Sequence, residues 1–225
     1  MTTRSTFLAV TATGAALAAA AHVAPGAVAA GVDEHAMNAI LAHPARHKQV
    51  IGAPRINLGA PLRFAGNGLN AFQFALGQGA GALKIVAVFY GTSLFYVFDD
   101  AMWDRYKLFD ALDRTGDPLP TIVHGTENPF YHARTAMNSH DDPHDERGFY
   151  HDFTIESLTR RGVSWFACDN ALRATSKEIA RSQNADPQHV YDDLRTHLVP
   201  GTTIVPAGVA AIVLAQEARF TFLPG

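Results

Sequence analysis

The stretch "VSWFACDNALRATSKEIARSQ", residues 163–183, decides the fold, because a buried strand turns into a helix within it. Its first residues are apolar except Ser164, as in a strand covered on both faces. The remainder is polar, with apolar side chains at helical spacing. Cys168 is the only cysteine of the chain and falls at the corner, beside the helix-capping residues Asp169 and Asn170. The sequence therefore predicts a strand ending near Cys168 and a helix starting directly after it.

The same alternation recurs along the chain and predicts the fold class. Strands are predicted within residues 48–53, 83–91, 163–167, 200–208 and 219–225, and helices within 61–76, 92–112, 153–162, 169–183, 187–198 and 209–218. Strands that alternate with helices form right-handed crossovers. We therefore expect a single α/β domain, with a mostly parallel sheet and helices on both faces.

The predicted second helix carries a stripe of large apolar side chains. It begins near Thr92 or Ser93 and runs without a break, and its stripe consists of Phe95, Phe98, Met102, Tyr106, Phe109 and Leu112. A stripe of methionine and aromatic side chains is typical of a buried core and not of a cofactor site.

The chain begins with the pattern of an export signal. Residues 1–30 contain Arg4, an Ala-rich apolar stretch, the breakers Pro25 and Gly26, and an A-x-A-like site at 27–29. This predicts a signal peptide and a periplasmic or secreted protein. Ser5 stands where a twin-arginine signal has its second arginine, which argues against that route. Residues 31–47 are predicted to form an N-terminal tether before the domain at 48–225.

Composition excludes several classes of function. A net charge of −3 and a pI near 6.4 give no basic surface for nucleic acid. We predict no membrane span in the mature chain, because no later stretch is long and apolar enough. A single cysteine excludes an intramolecular disulfide and disagrees with a thioredoxin-like oxidoreductase, which needs a resolving thiol. No dinucleotide fingerprint, P-loop or G-x-S-x-G motif is present, so no cofactor is predicted.

Residues 113–152 are predicted to form a long irregular insertion, rich in Gly, Pro, Asp, Asn and His. Imidazoles and carboxylates within it could bind zinc, and the candidate ligands are His124, His132, His140 and His144. However, no H-x-H or H-E-x-x-H motif occurs, and Pro143 disfavours a regular helix there. A solvated loop without metal is the prediction, and metal binding is the alternative.

Two segments together carry a family resemblance. They are "WFACDNALR" at 165–173 and "LVPGTTIVPAGVAAIVLAQEARFTFL" at 198–223, and "KIVAVFYG" at 84–91 extends the pattern. The chain resembles the DsrE/DsrF-like sulfur-relay family, particularly its exported, uncharacterised members, over most of residues 48–225 apart from the insertion. Many relatives have His-Gly where this chain has Tyr90-Gly91.

The resemblance implies an α/β sandwich that assembles into homo-oligomers, as trimers or hexamers. It also implies that Cys168 accepts sulfane sulfur as a persulfide, from a donor protein or small molecule, and passes it to an acceptor. The chain would then be a sulfur carrier or a weak sulfurtransferase.

The ends of three predicted strands supply the candidate site. Ligands of parallel sheets bind beyond the carboxyl ends of the strands. Cys168 is the candidate reactive group, and the supporting residues are Tyr90, Gly91, Asp169, Asn170, Arg173, Pro206 and Gly208. Asp169 disfavours a neighbouring thiolate, and Arg173 could offset that charge. Two alternatives remain: Cys168 as a packing residue, and a non-enzymatic oligomeric protein that binds a small ligand at the strand ends.

Overall fold

The computed structural model of the protein describes residues 32–117, 125–135 and 143–225. The predicted signal peptide at 1–30 and two of the candidate metal ligands, His124 and His140, lie outside these ranges.

Five strands and eight α-helices form the described fold. The strands are β1 (His47–Ala53), β2 (Leu83–Phe89), β3 (Ser164–Cys168), β4 (Thr202–Val205) and β5 (Thr221–Pro224). The helices are α1 (Glu34–Leu41), α2 (Ala60–Asn70), α3 (Asp100–Arg105), α4 (Leu108–Asp113), α5 (Ile155–Arg160), α6 (Asp169–Gln183), α7 (Pro187–Thr196) and α8 (Gly208–Glu217). A π-helical turn, Ala71–Ala75, extends α2, and 3-10 helices occupy Gly91–Val97 and Phe149–His151.

All strands of the sheet are parallel, in the order β4-β3-β2-β1-β5. The predicted α/β class is therefore confirmed, and the sheet is wholly parallel where a mostly parallel one was expected. Successive side chains alternate between the two faces, as the pleat requires. Ile85, Ala87 and Phe89 enter one core, whereas Val86 and Val88 enter the other. Burial on both faces explains why β2 is almost continuously apolar.

The two cores show which face each helix covers. The larger core contains buried residues of α2 to α7, and the smaller core contains those of α1 and α8. The chain therefore leaves β3 toward one face and leaves the neighbouring strand β4 toward the other. Adjacent strands whose connections diverge in this way open a crevice at their carboxyl ends. This crevice lies between Cys168 and the residues that follow Val205.

One prediction about the helices is wrong. The apolar stripe from Phe95 to Leu112 is buried as expected, but it does not lie on one continuous helix. The chain is extended at Phe98, and the Asp99 carboxylate then accepts a hydrogen bond from the Met102 N–H and caps α3. Lys107 adopts a left-handed conformation between α3 and α4. The helix is interrupted here because Asp99 caps the start of α3 and because the extended Phe98 pairs with Leu198.

The segment predicted as an N-terminal tether contributes to the folded unit. Its residues 34–41 form α1, which starts at the Asp33 cap. Met37 and Leu41 are buried in the smaller core beside Val50 and Phe220. His47 opens β1, one residue before the predicted domain boundary.

The described parts of residues 113–152 contain the end of α4 and the 3-10 helix Phe149–His151, and Phe130 and Asn128 are among the residues that fasten them to the domain. Phe130 is buried, with its ring 4.7 Å from that of Tyr96. The Asn128 amide nitrogen donates to the carbonyl oxygens of Tyr96 and Phe98, at 2.8 and 2.7 Å. The amide thereby satisfies backbone acceptors at the break before α3.

Candidate functional site

Cys168 lies at the corner that the sequence predicted, as the last residue of β3 and the N-cap of α6. Its sulfur accepts a hydrogen bond from the Ala171 N–H, with an N–S distance of 3.4 Å. The unpaired N–H groups and the dipole of this 15-residue helix favour negative charge at that position. The residue is 5% exposed, so contact with solvent is narrow.

Two further strand ends reach the same place. Phe89 pairs with Ala167, so Tyr90 follows β2 beside Cys168, and Cys168 itself pairs with Val205 of β4. Burial, followed by the nearness of the Cys168 sulfur, raises the pKa of Tyr90. Gly208 packs directly on Tyr90, because a Cβ at this glycine would lie 3.0 Å from the tyrosine Cβ. Tyr90, Cys168 and Gly208 therefore line one crevice.

The Asp169 carboxylate is buried next to the thiol, and its charge is compensated. Arg173 Nε donates to its Oδ2 at 2.8 Å, and the Tyr191 hydroxyl donates to its Oδ1 at 2.5 Å. The guanidinium also stacks on the Tyr191 ring, 4.2 Å from the centroid. Arg173 thus folds back over the first turn of α6, and its partner is the Asp169 carboxylate.

The remaining predicted site residues play lesser parts in the crevice. Asn170 and Pro206 are exposed at its rim. Gly91 turns the chain with a φ of +67°, and a Cβ there would lie 2.6 Å from the Pro54 carbonyl oxygen. Glycine is required at this position because both the backbone conformation and the close approach exclude a side chain.

Two residues that sequence reasoning missed shape the neighbouring strand ends. The buried Ser93 hydroxyl donates to the Ala53 carbonyl and accepts from the Tyr90 N–H. Asp117 is 6% exposed and accepts from the Ile56 N–H at 2.7 Å and from the Thr92 hydroxyl. A single aspartate in a Gly- and Pro-rich segment gives no sequence signal of this role, since its partners come from distant loops.

The two candidate metal ligands that the structure describes, His132 and His144, do not belong to a metal site formed by described residues. His132 pairs with Asp100, with 2.6 Å between its Nε2 and the carboxylate Oδ2, and His144 is exposed. No group of three histidine, cysteine or acidic side chains among the described residues is arranged to hold a metal ion.

The well-formed cavities lie away from the crevice. One of about 240 Å³ is lined by Leu62, Arg63 and Phe153, and one of about 170 Å³ by Phe72, Tyr150 and Arg161. A third, of about 640 Å³, is bounded by Phe74, His144 and His151. None of these three includes Cys168, Tyr90 or Gly208.

Comparison with known proteins gives little further guidance. No family model matches the chain, and no curated protein matches it. A solved structure of a protein of unknown function, MTH1491 from Methanobacterium thermoautotrophicum, is similar over 80% of this chain and 99% of its own, with 15% identity and a TM-score of 0.36. Among the described helices, none has the length and apolar character needed to cross a membrane.

Proposed function

We propose that the protein carries sulfane sulfur on Cys168, as a persulfide carrier or weak sulfurtransferase. The observation that supports this most is the position of the thiol at the crevice between β3 and β4, with the Ala171 N–H directed at its sulfur. A persulfide carrier needs one thiolate and no second cysteine, which agrees with the composition.

The reaction balances with thiosulfate as donor. The Cys168 thiolate attacks the outer sulfur, the S–S bond of thiosulfate breaks with its electron pair leaving on sulfite, and a Cys168 persulfide anion forms. An acceptor thiolate then attacks the terminal sulfur of that persulfide, which returns the Cys168 thiolate and yields the acceptor persulfide. No external oxidant or reductant is consumed.

The surroundings of the sulfur favour small donors. The narrow exposure of Cys168 admits an inorganic polysulfide or thiosulfate more easily than a bulky side chain. Because the pKa of Tyr90 is raised by burial and by the Cys168 sulfur, its phenol stays protonated. We propose that this neutral hydroxyl donates a hydrogen bond to the persulfide anion when sulfur is bound.

The test is intact mass measurement after incubation of the full chain with polysulfide or thiosulfate. We expect the mass of one sulfur atom to be added, to disappear with dithiothreitol, and to be absent from Cys168→Ser. Iodoacetamide labelling of the native protein tests access to the thiol. A thiol that is alkylated but gains no sulfur would exclude the proposal, and a thiol protected in the folded state would identify Cys168 as a packing residue.

We propose in addition that the protein is a homo-oligomer. Val209, Val213 and Leu214 on α8 are exposed, and so is Phe222 on the neighbouring edge strand β5. Val209 and Val213 lie one turn apart on α8, and exposed apolar side chains grouped on one helix face are typical of contact surfaces between proteins. The trimer or hexamer implied by the family resemblance would cover them.

A further inference from the structure

A recess of about 170 Å³ lies at the amino-terminal ends of the strands, whereas Cys168 lies at their carboxyl ends. Much of its wall is apolar and comes from Leu69, Phe72, Leu83 and Phe149. Gly79 and Gly81 border it, and a Cβ at either would meet no atom within 4 Å. The recess is therefore an apolar slot with an open mouth.

A half-buried cation, Arg161, lies in its wall, and no carboxylate among the described residues is paired with it. Arg161 donates from Nη2 to the Asn70 side-chain oxygen at 2.7 Å, and its guanidinium is 5.3 Å from the centroid of the Tyr150 ring. Its Nη1 has almost no exposed surface and finds no hydrogen-bond partner in the part of the chain that the structure describes. Burial lowers the pKa of Arg161 to about 10. Burying a guanidinium among neutral groups is costly, and an anionic ligand would remove that cost.

The neighbouring charges leave this cation uncompensated. Arg160, which also lines the recess, is already paired with Glu156. Lys84, at the same edge of the sheet, donates to the Gly162 carbonyl and the Ser164 hydroxyl, both at 2.7 Å. Within the described chain, neither Lys84 nor Arg161 has a carboxylate partner, so the local potential favours an anion.

We infer that this recess binds a small monocarboxylate with an aromatic or branched aliphatic body. The carboxylate would accept from the Arg161 guanidinium where it lines the recess, and the body would pack against Phe72 and Phe149. An apolar cavity of about 150 Å³ is known to hold a benzene ring, so the volume suffices. One uncompensated guanidinium matches one negative charge, and the apolar wall disfavours a hydrated dianion such as phosphate.

The inference goes beyond sulfur transfer and does not depend on it. The whole of β3 separates Arg161 from Cys168. Cys168→Ser should therefore leave carboxylate binding unchanged, and loss of carboxylate binding should leave sulfur loading unchanged.

Calorimetric titration of the full chain with benzoate, benzamide and inorganic phosphate tests the inference. We expect benzoate to bind at least about tenfold more tightly than either of the other two, because only it combines the charge with the apolar ring. Arg161→Met should weaken benzoate binding by at least about tenfold. The matched control is Arg181→Met, which removes an exposed arginine of α6 that is paired with Glu178.

Any one of three results would overturn the proposed carboxylate site. These are equal affinities for benzamide and benzoate, an affinity for phosphate as high as that for benzoate, and an unchanged affinity of Arg161→Met for benzoate. The first two comparisons use the unaltered chain, so they decide the question even where the Arg161 variant fails to fold.

Discussion

At the residue scale, a buried charge lies next to the thiol in the chain, and its partners can be removed one at a time. The Asp169 carboxylate opposes a thiolate on Cys168, and Arg173 and Tyr191 compensate it. Arg173→Met leaves the buried carboxylate without its cation, and we expect iodoacetamide to react with Cys168 about three- to tenfold more slowly. Asp169→Asn removes the opposing charge and should raise the rate by a similar factor. Rates are measured by quenched labelling and mass spectrometry below pH 8.

The control for that series is Lys177→Met, which removes an exposed cation from the same helix. Because it lies more than two turns from the thiol, its labelling rate should match that of the unaltered chain. Equal rates in all four proteins would show that the Asp169 network serves stability alone.

The sequence could predict only half of this network. Asp169 and Arg173 are four residues apart on one helix, so their pairing follows from helical geometry. Tyr191 lies 22 residues beyond Asp169 on another helix. Its hydroxyl reaches the carboxylate only because α7 packs on α6, and no local pattern encodes that contact.

At the element scale, burial was easier to predict than continuity. The periodicity identified the buried side chains between Phe95 and Leu112, because the same side chains fill the core whether or not the helix is broken. The break itself depends on the Asp99 cap and on Asn128, whose side chain reaches the buried carbonyls of Tyr96 and Phe98 from a distant segment. The strands and α6 could be predicted because their signals are local in the sequence. The role of Asp117 could not, because its partners Ile56 and Thr92 are distant in the sequence.

Helix α5 anchors residues 130–133, in the middle of the predicted insertion, and this contact should depend on pH. Its first N–H groups donate to the carbonyls of Phe130 and Tyr131. The Glu156 carboxylate accepts the Ala133 N–H at 2.9 Å, and this bond holds the pKa of Glu156 below its usual range. A lowered folded-state pKa means that the charged form stabilises the fold above the ordinary glutamate pKa, and that this contribution is lost as the pH falls through the folded value.

We therefore expect Glu156→Gln to lower the free energy of unfolding by about 1 kcal/mol at pH 6, and by progressively less below about pH 4.3. Urea denaturation at a series of pH values measures the difference. Glu178→Gln, on an exposed ion pair, is the matched control and should cost less than about 0.5 kcal/mol. A difference for Glu156→Gln that does not change with pH would contradict the assignment.

At the scale of the whole molecule, α8 is apolar on more than the face that it buries. Ala211, Ile212 and Ala215 pack on the sheet, whereas Val209 and Val213 are 63% and 53% exposed. A helix on the outside of a monomer normally presents polar residues to solvent. Since Val209 directly follows Gly208, a second copy seated on this surface would lie beside the crevice that contains Cys168.

This arrangement leads to a test of assembly. We expect Val213→Glu to shift the protein from an oligomer to a monomer in light scattering coupled to size exclusion, because a charge would be buried without a partner at the contact. The secondary structure should be unchanged, since more than half of Val213 is exposed within its own chain. Ala174→Glu places the same charge on the exposed face of α6 and should leave the oligomer intact. If both variants and the unaltered chain have the same mass, α8 is not the contact surface. If that common mass is the monomer mass, the proposed homo-oligomer is excluded as well.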